Sequence, residues 1–339
     1  MSRPLTAFAM IAALAACDDA NPFQGGEIDG TPTDPPVIDP DNPIAPNGLP
    51  EALAGNLNAV AYNPGSGTLS VEMASLDQTS IDYPLAQYTE NLNLTTPALQ
   101  SAGYQVYSYQ DDGLDRMFVA IVAESNDGSV QGAVVMDGGQ FLRFFGGGVY
   151  ATDGTFTPGV PENDTGLVSY AGTYGGLSNL DADGAELIGV PPIPEDDDGS
   201  LLPAQPAQLE GGIFLNADFG DNTINGAIID RSWTNLNPVL AAIPTINDLE
   251  DVFLLPADIT DAGTFFGTTS VVIDGDESQV GSYGGAFGGI EAPGVAGVVH
   301  LDGDYIEDIE NEEEFGVFVL TQCGQPGEAS LCDFIPVNP

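Results

Sequence analysis

From residue 51 onward, apolar residues come in short runs that alternate with small or polar ones, and nearly every run stops at a glycine-bearing turn. That spacing suits strands, and it leaves no room for an amphipathic helix of ordinary length. Leu57–Tyr62 and Thr68–Met73 flank the turn sequence Asn63-Pro64-Gly65-Ser66-Gly67 and read as a hairpin. Tyr104–Tyr109, Met117–Ala123, Val130–Met136 and Phe141–Phe145 continue it as a meander, with Pro97–Ala102 as a short helix. A second series holds Leu167–Tyr174, Gly212–Phe219, Asn222–Asp230, Thr264–Ile273, Val280–Phe287, Val295–Leu301 and Phe315–Thr321, with Pro238–Pro256 read as a long connection. Strands with glycine kinks and no helices between them predict an all-β chain. Its second half is a glycine-rich antiparallel eight-stranded barrel, because closure abolishes exposed edges.

The amino terminus carries an address. Residues 1–16 combine one charge at Arg3 with an apolar stretch from Leu5 to Leu14, which is a signal peptide in form and too short to span a bilayer as a finished helix. Leu14-Ala15-Ala16-Cys17 resembles the lipobox of bacterial lipoproteins, in which the cysteine is lipidated and becomes the new amino terminus. Several acyl chains on Cys17 make a stable anchor, which tethers the chain to a membrane without embedding it. Residues 17–50, rich in Pro and Asp, bury too little to offset their ordering entropy and are expected as a disordered tether. If lipid consumes Cys17, two cysteines remain, Cys323 and Cys332, nine residues apart across Gly324, Pro326 and Gly327. The expectation is a disulfide in an oxidising compartment, against the alternative of two free buried thiols.

Charge removes whole classes of function. There are 51 acidic residues against 4 basic ones, a formal net charge of −47, and every base is an arginine. Without lysine there is no P-loop, Schiff-base or kinase-type lysine chemistry. A field this negative repels nucleic acid. The excess of Asp over Glu resembles adaptation to high salt.

The second series of strands also carries a resemblance. Thr165-Gly166-Leu167-Val168-Ser169-Tyr170-Ala171-Gly172-Thr173-Tyr174-Gly175-Gly176 is followed by Leu215-Asn216-Ala217-Asp218-Phe219-Gly220 and by Ile224-Asn225-Gly226-Ala227-Ile228. Gly263-Thr264-Phe265-Phe266-Gly267 then leads to Tyr283-Gly284-Gly285-Ala286-Phe287-Gly288-Gly289 and Val295-Ala296-Gly297-Val298-Val299. This order resembles the β-barrel domain of transferrin-binding protein B and the surface lipoproteins built on it, over about residues 165–321. Glu291 matches the glutamate between the last two glycine motifs, at a spacing loosened by Pro293. The resemblance implies a handle-like β-rich domain over residues 51–160, a barrel over residues 161–339, and display at the outer membrane. Asp18 and Asp19, after the lipid-bearing position, resemble an inner-membrane retention signal and keep that location open. No residue maps onto a transferrin-contacting loop, so the partner does not carry over.

Other motifs are weaker. Asp164-Thr165-Gly166 copies the aspartic-protease triplet but has no second copy. Asn179-x-Asp181-x-Asp183-Gly184 copies the opening of a calcium loop whose twelfth position is Val190 instead of glutamate. A weaker calcium site on Asp181, Asp183 and Glu186 stands as the alternative to a solvated turn. The acids Asp196–Asp198, Asp274, Asp276 and Glu310–Glu314 are expected as solvated loops, His300 as structural, and Trp233 at a barrel rim. The reading is a non-catalytic, lipid-anchored envelope protein that binds a protein or small solute, with no cofactor beyond that calcium. A calcium-dependent carboxylate hydrolase and a purely adhesive surface protein are the alternatives.

Overall fold

The computed structural model describes residues 34–39, 43–74, 86–141, 143–159, 166–189, 202–273, 275–303, 305–306, 309 and 311–334. A seven-stranded antiparallel meander comes first, with β1 (Leu57–Asn63), β2 (Thr68–Met73), β3 (Ala86–Glu90), β4 (Gln105–Tyr109), β5 (Phe118–Glu124), β6 (Val130–Asp137) and β7 (Gly146–Thr152) paired in sequence order. A closed eight-stranded barrel follows, made of β8 (Leu167–Asp181), β9 (Pro206–Asp218), β10 (Thr223–Trp233), β11 (Val252–Asp258), β12 (Thr264–Ile273), β13 (Asp276–Gly288), β14 (Gly294–Asp302) and β15 (Glu313–Gln322). Antiparallel pairing of β15 with β8 closes it.

The meander is nearly closed as well. Its free edges are β1 and β7, and the chain just before them lies across the gap. Ile38 N–H donates to Thr152 O at 2.7 Å and Thr152 N–H to Pro36 O at 3.0 Å, while Ile44 exchanges bonds of 2.6 and 2.8 Å with Val60. Ile44 is buried. The expectation of a disordered tether over 17–50 is therefore corrected for residues 34–39 and 43–50, because an open edge offers unpaired backbone groups that a proline-rich strand can still satisfy.

Strand β6 shows how the two sheets meet, since all of its residues are buried. Val130, Val134 and Met136 pack toward the barrel, and Ala133 and Val135 face the meander's own interior. The barrel meets them with Ala296 and Val298 of β14 and Phe315 and Val317 of β15. Val295, Val299, Phe318 and Leu320, which alternate with these, fill the barrel. A side-chain period of two thus builds three cores from two sheets. Each large apolar group so enclosed contributes about 1.5–3 kcal/mol relative to exposure.

Three strands depart from the sequence reading. The last meander strand is Gly146–Thr152, not Phe141–Phe145. Its glycines have weak strand propensity, but the contact demands them: a Cβ on Gly148 would stand 2.6 Å from Val298 Cγ1, and one on Gly146 would stand 2.8 Å from Phe315 Cδ2. β11 begins within the expected connection Pro238–Pro256 and runs past its end, and its ladder with β12 holds only Phe253↔Ser270 and Leu254↔Thr269. β3 was not expected at all. The short helix forms over Pro97–Ser101, capped by the Thr96 side chain, which accepts from Leu99 N–H.

Two outcomes follow. Gly148→Val should lower stability by about 1–3 kcal/mol through overpacking against Val298. Gly189→Val, which meets nothing within 4 Å, should stay within about 0.5 kcal/mol; urea midpoints compare them. Burial also raises the phenols of Tyr88, Tyr104, Tyr150, Tyr170, Tyr174, Tyr283 and Tyr305 above their ordinary value of 10.0. The folded state keeps protons that the unfolded chain loses, so this stabilisation is full below about pH 10 and is lost as pH climbs above it. Alkaline absorbance titration should show these phenols ionising only on unfolding.

Candidate functional site

Of the four arginines, Arg3 lies outside the described residues, Arg231 is buried and Arg116 is nearly so. Arg143 is the exposed one. It sits on the β6–β7 connection at one end of the meander. The β4–β5 connection comes to the same end, because two antiparallel hairpins an even number of strands apart open in the same direction.

Arg116 ties these loops together. Its guanidinium pairs with the carboxylate of Asp137 and donates to the carbonyls of Arg143 at 2.8 Å and Gln140 at 2.6 Å. Asp137 Oδ1 also accepts from Phe145 N–H at 2.7 Å, and Gln140 Nε2 donates to Leu114 O at 2.7 Å. Burial raises the Asp137 carboxyl, while Arg116 and the Phe145 amide pull it down. The loop after β8 joins through Ile188 N–H, which donates to Gln110 Oε1 at 2.8 Å.

Held this way, the three loops present apolar side chains to solvent. Leu114 is 55% exposed, Phe141 50% and Ile188 45%. Phe141 takes φ 56°, a left-handed backbone that aromatic residues rarely adopt. Strain of this kind costs about 1–3 kcal/mol and persists only where neighbours over-determine the backbone. Here the carbonyl bonds from Arg116 on both sides of Phe141 do so. Asp111, Asp112 and Asp115 flank Leu114; desolvation first, then repulsion from Asp112 and Asp111, raises Asp115. The arrangement is an apolar surface with one cation and an acidic rim, on a braced scaffold.

The sequence-derived candidates fall elsewhere. Cys17 lies outside the described residues, as do Asp164, Thr165, Val190, Asp196–Asp198, Asp274 and Glu310. Cys323 and Cys332 are bonded to each other, with Cα atoms 5.5 Å apart. The ligand oxygens of Asp181, Asp183 and Glu186 are not gathered into one cluster. Glu186 accepts from Asn91 Nδ2 at 2.9 Å and Asn93 Nδ2 at 3.1 Å, and Asp183 Oδ1 accepts from Ala185 N–H within its own turn. Burial raises the Asp181 carboxyl.

The acidic run at 310–314, expected as solvated, is partly interior. Glu314 is buried in the barrel, paired with Arg231 and accepting from Tyr174 O–H at 2.6 Å. Buried Glu312 accepts from Tyr305 N–H and Ile306 N–H at 2.6 and 2.8 Å and caps that turn. Alternation decides this, since Glu314 shares the inward face of Phe318 and Leu320. His300 lies 2.9 Å from Glu313 and stacks on Phe315 at 4.3 Å, and Trp233 Nε1 donates to Ile246 O at 2.8 Å. Both roles are structural.

Arg116, Phe141 and Arg143 were not singled out from sequence. The available signal was scarcity: with four bases in the chain, two of them 27 residues apart bracket one hairpin.

No family model matches the sequence, and no curated protein matches it. Solved structures similar to it include forms of transferrin-binding protein B. An alanine double mutant of this vaccine antigen from Haemophilus parasuis Hp5 is 15% identical, with a TM-score of 0.34, over 65% of this chain and 37% of that one. The intact Ap-TbpB, with N and C lobes, is 15% identical, with a TM-score of 0.33, over 78% of this chain and 54% of that one. The chain thus spans about a third to a half of the structures it matches. At that overlap, its barrel is defined by its own strand pairing.

Arg116→Met should cost about 3 kcal/mol, because it leaves the Asp137 carboxylate buried without its partner. Adding Asp137→Asn should recover much of the loss; chemical denaturation of the two variants checks it.

Proposed function

We propose that the chain is a non-catalytic, lipid-anchored protein of the bacterial cell envelope that binds a protein partner through the braced end of its meander. The observation that carries this reading is Phe141, an exposed aromatic on left-handed backbone, fixed by Arg116 on a loop that hydrogen bonds join to the one bearing Leu114, which in turn is joined to the one bearing Ile188. Exposed aromatic and arginine side chains on a preorganised surface are the residues that dominate protein interfaces. The lipobox-like Leu14–Cys17 supports the anchor, and the resemblance of the second half to surface lipoprotein barrels supports display at the outer membrane. A calcium-dependent hydrolase is the weaker reading, because Asn91 and Asn93 hold the Glu186 carboxylate that such an ion would need.

The test uses the ectodomain from residue 18 against envelope and extracellular protein of the source cells. Leu114→Ser with Phe141→Ser should weaken capture of the partner about tenfold or more while leaving the melting temperature unchanged. Capture unaffected by that pair would overturn the assignment of the surface. In cells, Cys17→Ser should release the protein from membranes, and full retention would remove the anchor from the proposal.

A further inference from the structure

At the end of the meander opposite the braced loops, where β1 turns into β2, the segment that crosses the gap between β1 and β7 encloses a cavity. Its volume is about 200 Å³. That is room for about six or seven waters or one hexose ring, and it is below the roughly 300–1,000 Å³ that drug-sized ligands occupy. The geometry points to a binding site for a small neutral polyhydroxyl compound, a sugar ring held through its hydroxyl groups.

Alternation along the strands sets the wall. Val60 and Tyr62 face the meander's interior, while Ala61, Asn63, Thr68 and Ser70 face outward, so the cavity runs round the open edge of β1. Ile38 and Ile44 of the crossing segment line its other side, held there by their bonds to Thr152 and Val60. Gln131 enters from β6, where it shares the inward face of Ala133 and Val135. It is 3% exposed. Its Nε2 donates to Glu124 Oε2 at 3.0 Å, directly across the ladder. No described residue donates to its Oε1, which remains accessible at the cavity. An acceptor left open on a buried amide calls for a donor from water or a ligand. Tyr62, in the same wall, is fixed by its O–H on Gln105 Oε1 at 2.6 Å and by its ring, edge-on to Tyr107 at 6.4 Å.

The wall selects the chemistry. Besides Gln131 it offers the Asn63 amide, the Thr68 and Ser70 hydroxyls and one aromatic ring. Amides and hydroxyls pair with a ligand's hydroxyl groups as donor or acceptor, and an aromatic or aliphatic wall covers the C–H face of a sugar. Anions are disfavoured, because no arginine is among the described lining residues and the chain carries −47. An organic cation finds one carboxylate there, Asp39, which already has an interaction of its own. A neutral ligand is indifferent to the field. The site shares no residue with the braced loops, so its failure and that of the protein-binding surface are distinguishable.

The experiment titrates glucose, galactose and N-acetylglucosamine, each free and as its methyl glycoside, into the whole protein in detergent. Saturation-transfer NMR and the melting temperature are the readouts, with putrescine and acetate as cation and anion controls. At least one sugar is expected to saturate with a Kd in about the millimolar range, as about a dozen non-hydrogen atoms allow, and added salt should leave that Kd unchanged. Gln131→Met, which keeps the side chain's bulk and removes the amide, should weaken binding about tenfold. Ser70 alternates with buried Leu69 and Val71, so Ser70→Leu stays out of the core. It should narrow the cavity and weaken binding about tenfold or more while the free protein's melting temperature holds, and it keeps the test decisive if Gln131→Met unfolds. Binding of a glycoside assigns the end of a glycan, and binding of free sugar alone assigns a free solute. No saturation by any sugar up to about 100 mM would overturn the assignment. So would saturation by putrescine or acetate alone, or sugar binding that Ser70→Leu leaves unchanged.

Discussion

The face-to-face contact between meander and barrel holds the molecule in one piece. β6 has no solvent side, and β14 and β15 have none where β6 crosses them. Such an interface needs side chains from both sheets to interdigitate at interior density. The gap is set by glycines, chiefly Gly132, Gly146 and Gly148, into which Val317, Phe315 and Val298 project. Larger residues there would push the layers apart and uncover apolar surface on both. The short helix Glu51–Ala54 belongs to the same contact, since its Leu53 is buried and sits against Gly284 of the barrel.

Because that contact fixes the meander along its length, its far end can carry strain. Between the loops that follow β4 and β6, Arg116 and Asp137 supply the bracing bonds. Buried ion pairs are weak sources of stability but impose a specific geometry when their remaining bonds are satisfied. Here that geometry is an exposed aromatic on left-handed backbone. The second buried pair, Arg231 with Glu314, has the opposite surroundings: it lies inside the barrel among Tyr174 and Tyr305, where it fixes packing.

Overall charge constrains the partner. With −47 on the chain, an acidic partner is repelled at long range, and association with a basic one is accelerated at low ionic strength. In the proposed complex, the exposed apolar side chains of Leu114, Phe141 and Ile188 would supply the short-range energy that charge does not.

Local chemistry in the sequence determined the strands, most turns, the barrel and the pairing of Cys323 with Cys332, because alternation and turn residues act over a few positions. It misplaced β7 because a triple glycine carries no strand signal of its own; only the neighbouring barrel makes Gly146–Gly148 a strand. It put Glu310–Glu314 in solvent because a run of acids reads as polar until a barrel wall turns Glu314 inward. It suggested an ion among Asp181, Asp183 and Glu186 from their spacing, which does not reveal that Asn91 and Asn93, nearly a hundred residues earlier, hydrogen-bond to Glu186. The candidate surface was illegible for the same reason. Arg116 acts on groups 21 to 27 residues away, and no local pattern records a contact that exists only once the sheet has set its register.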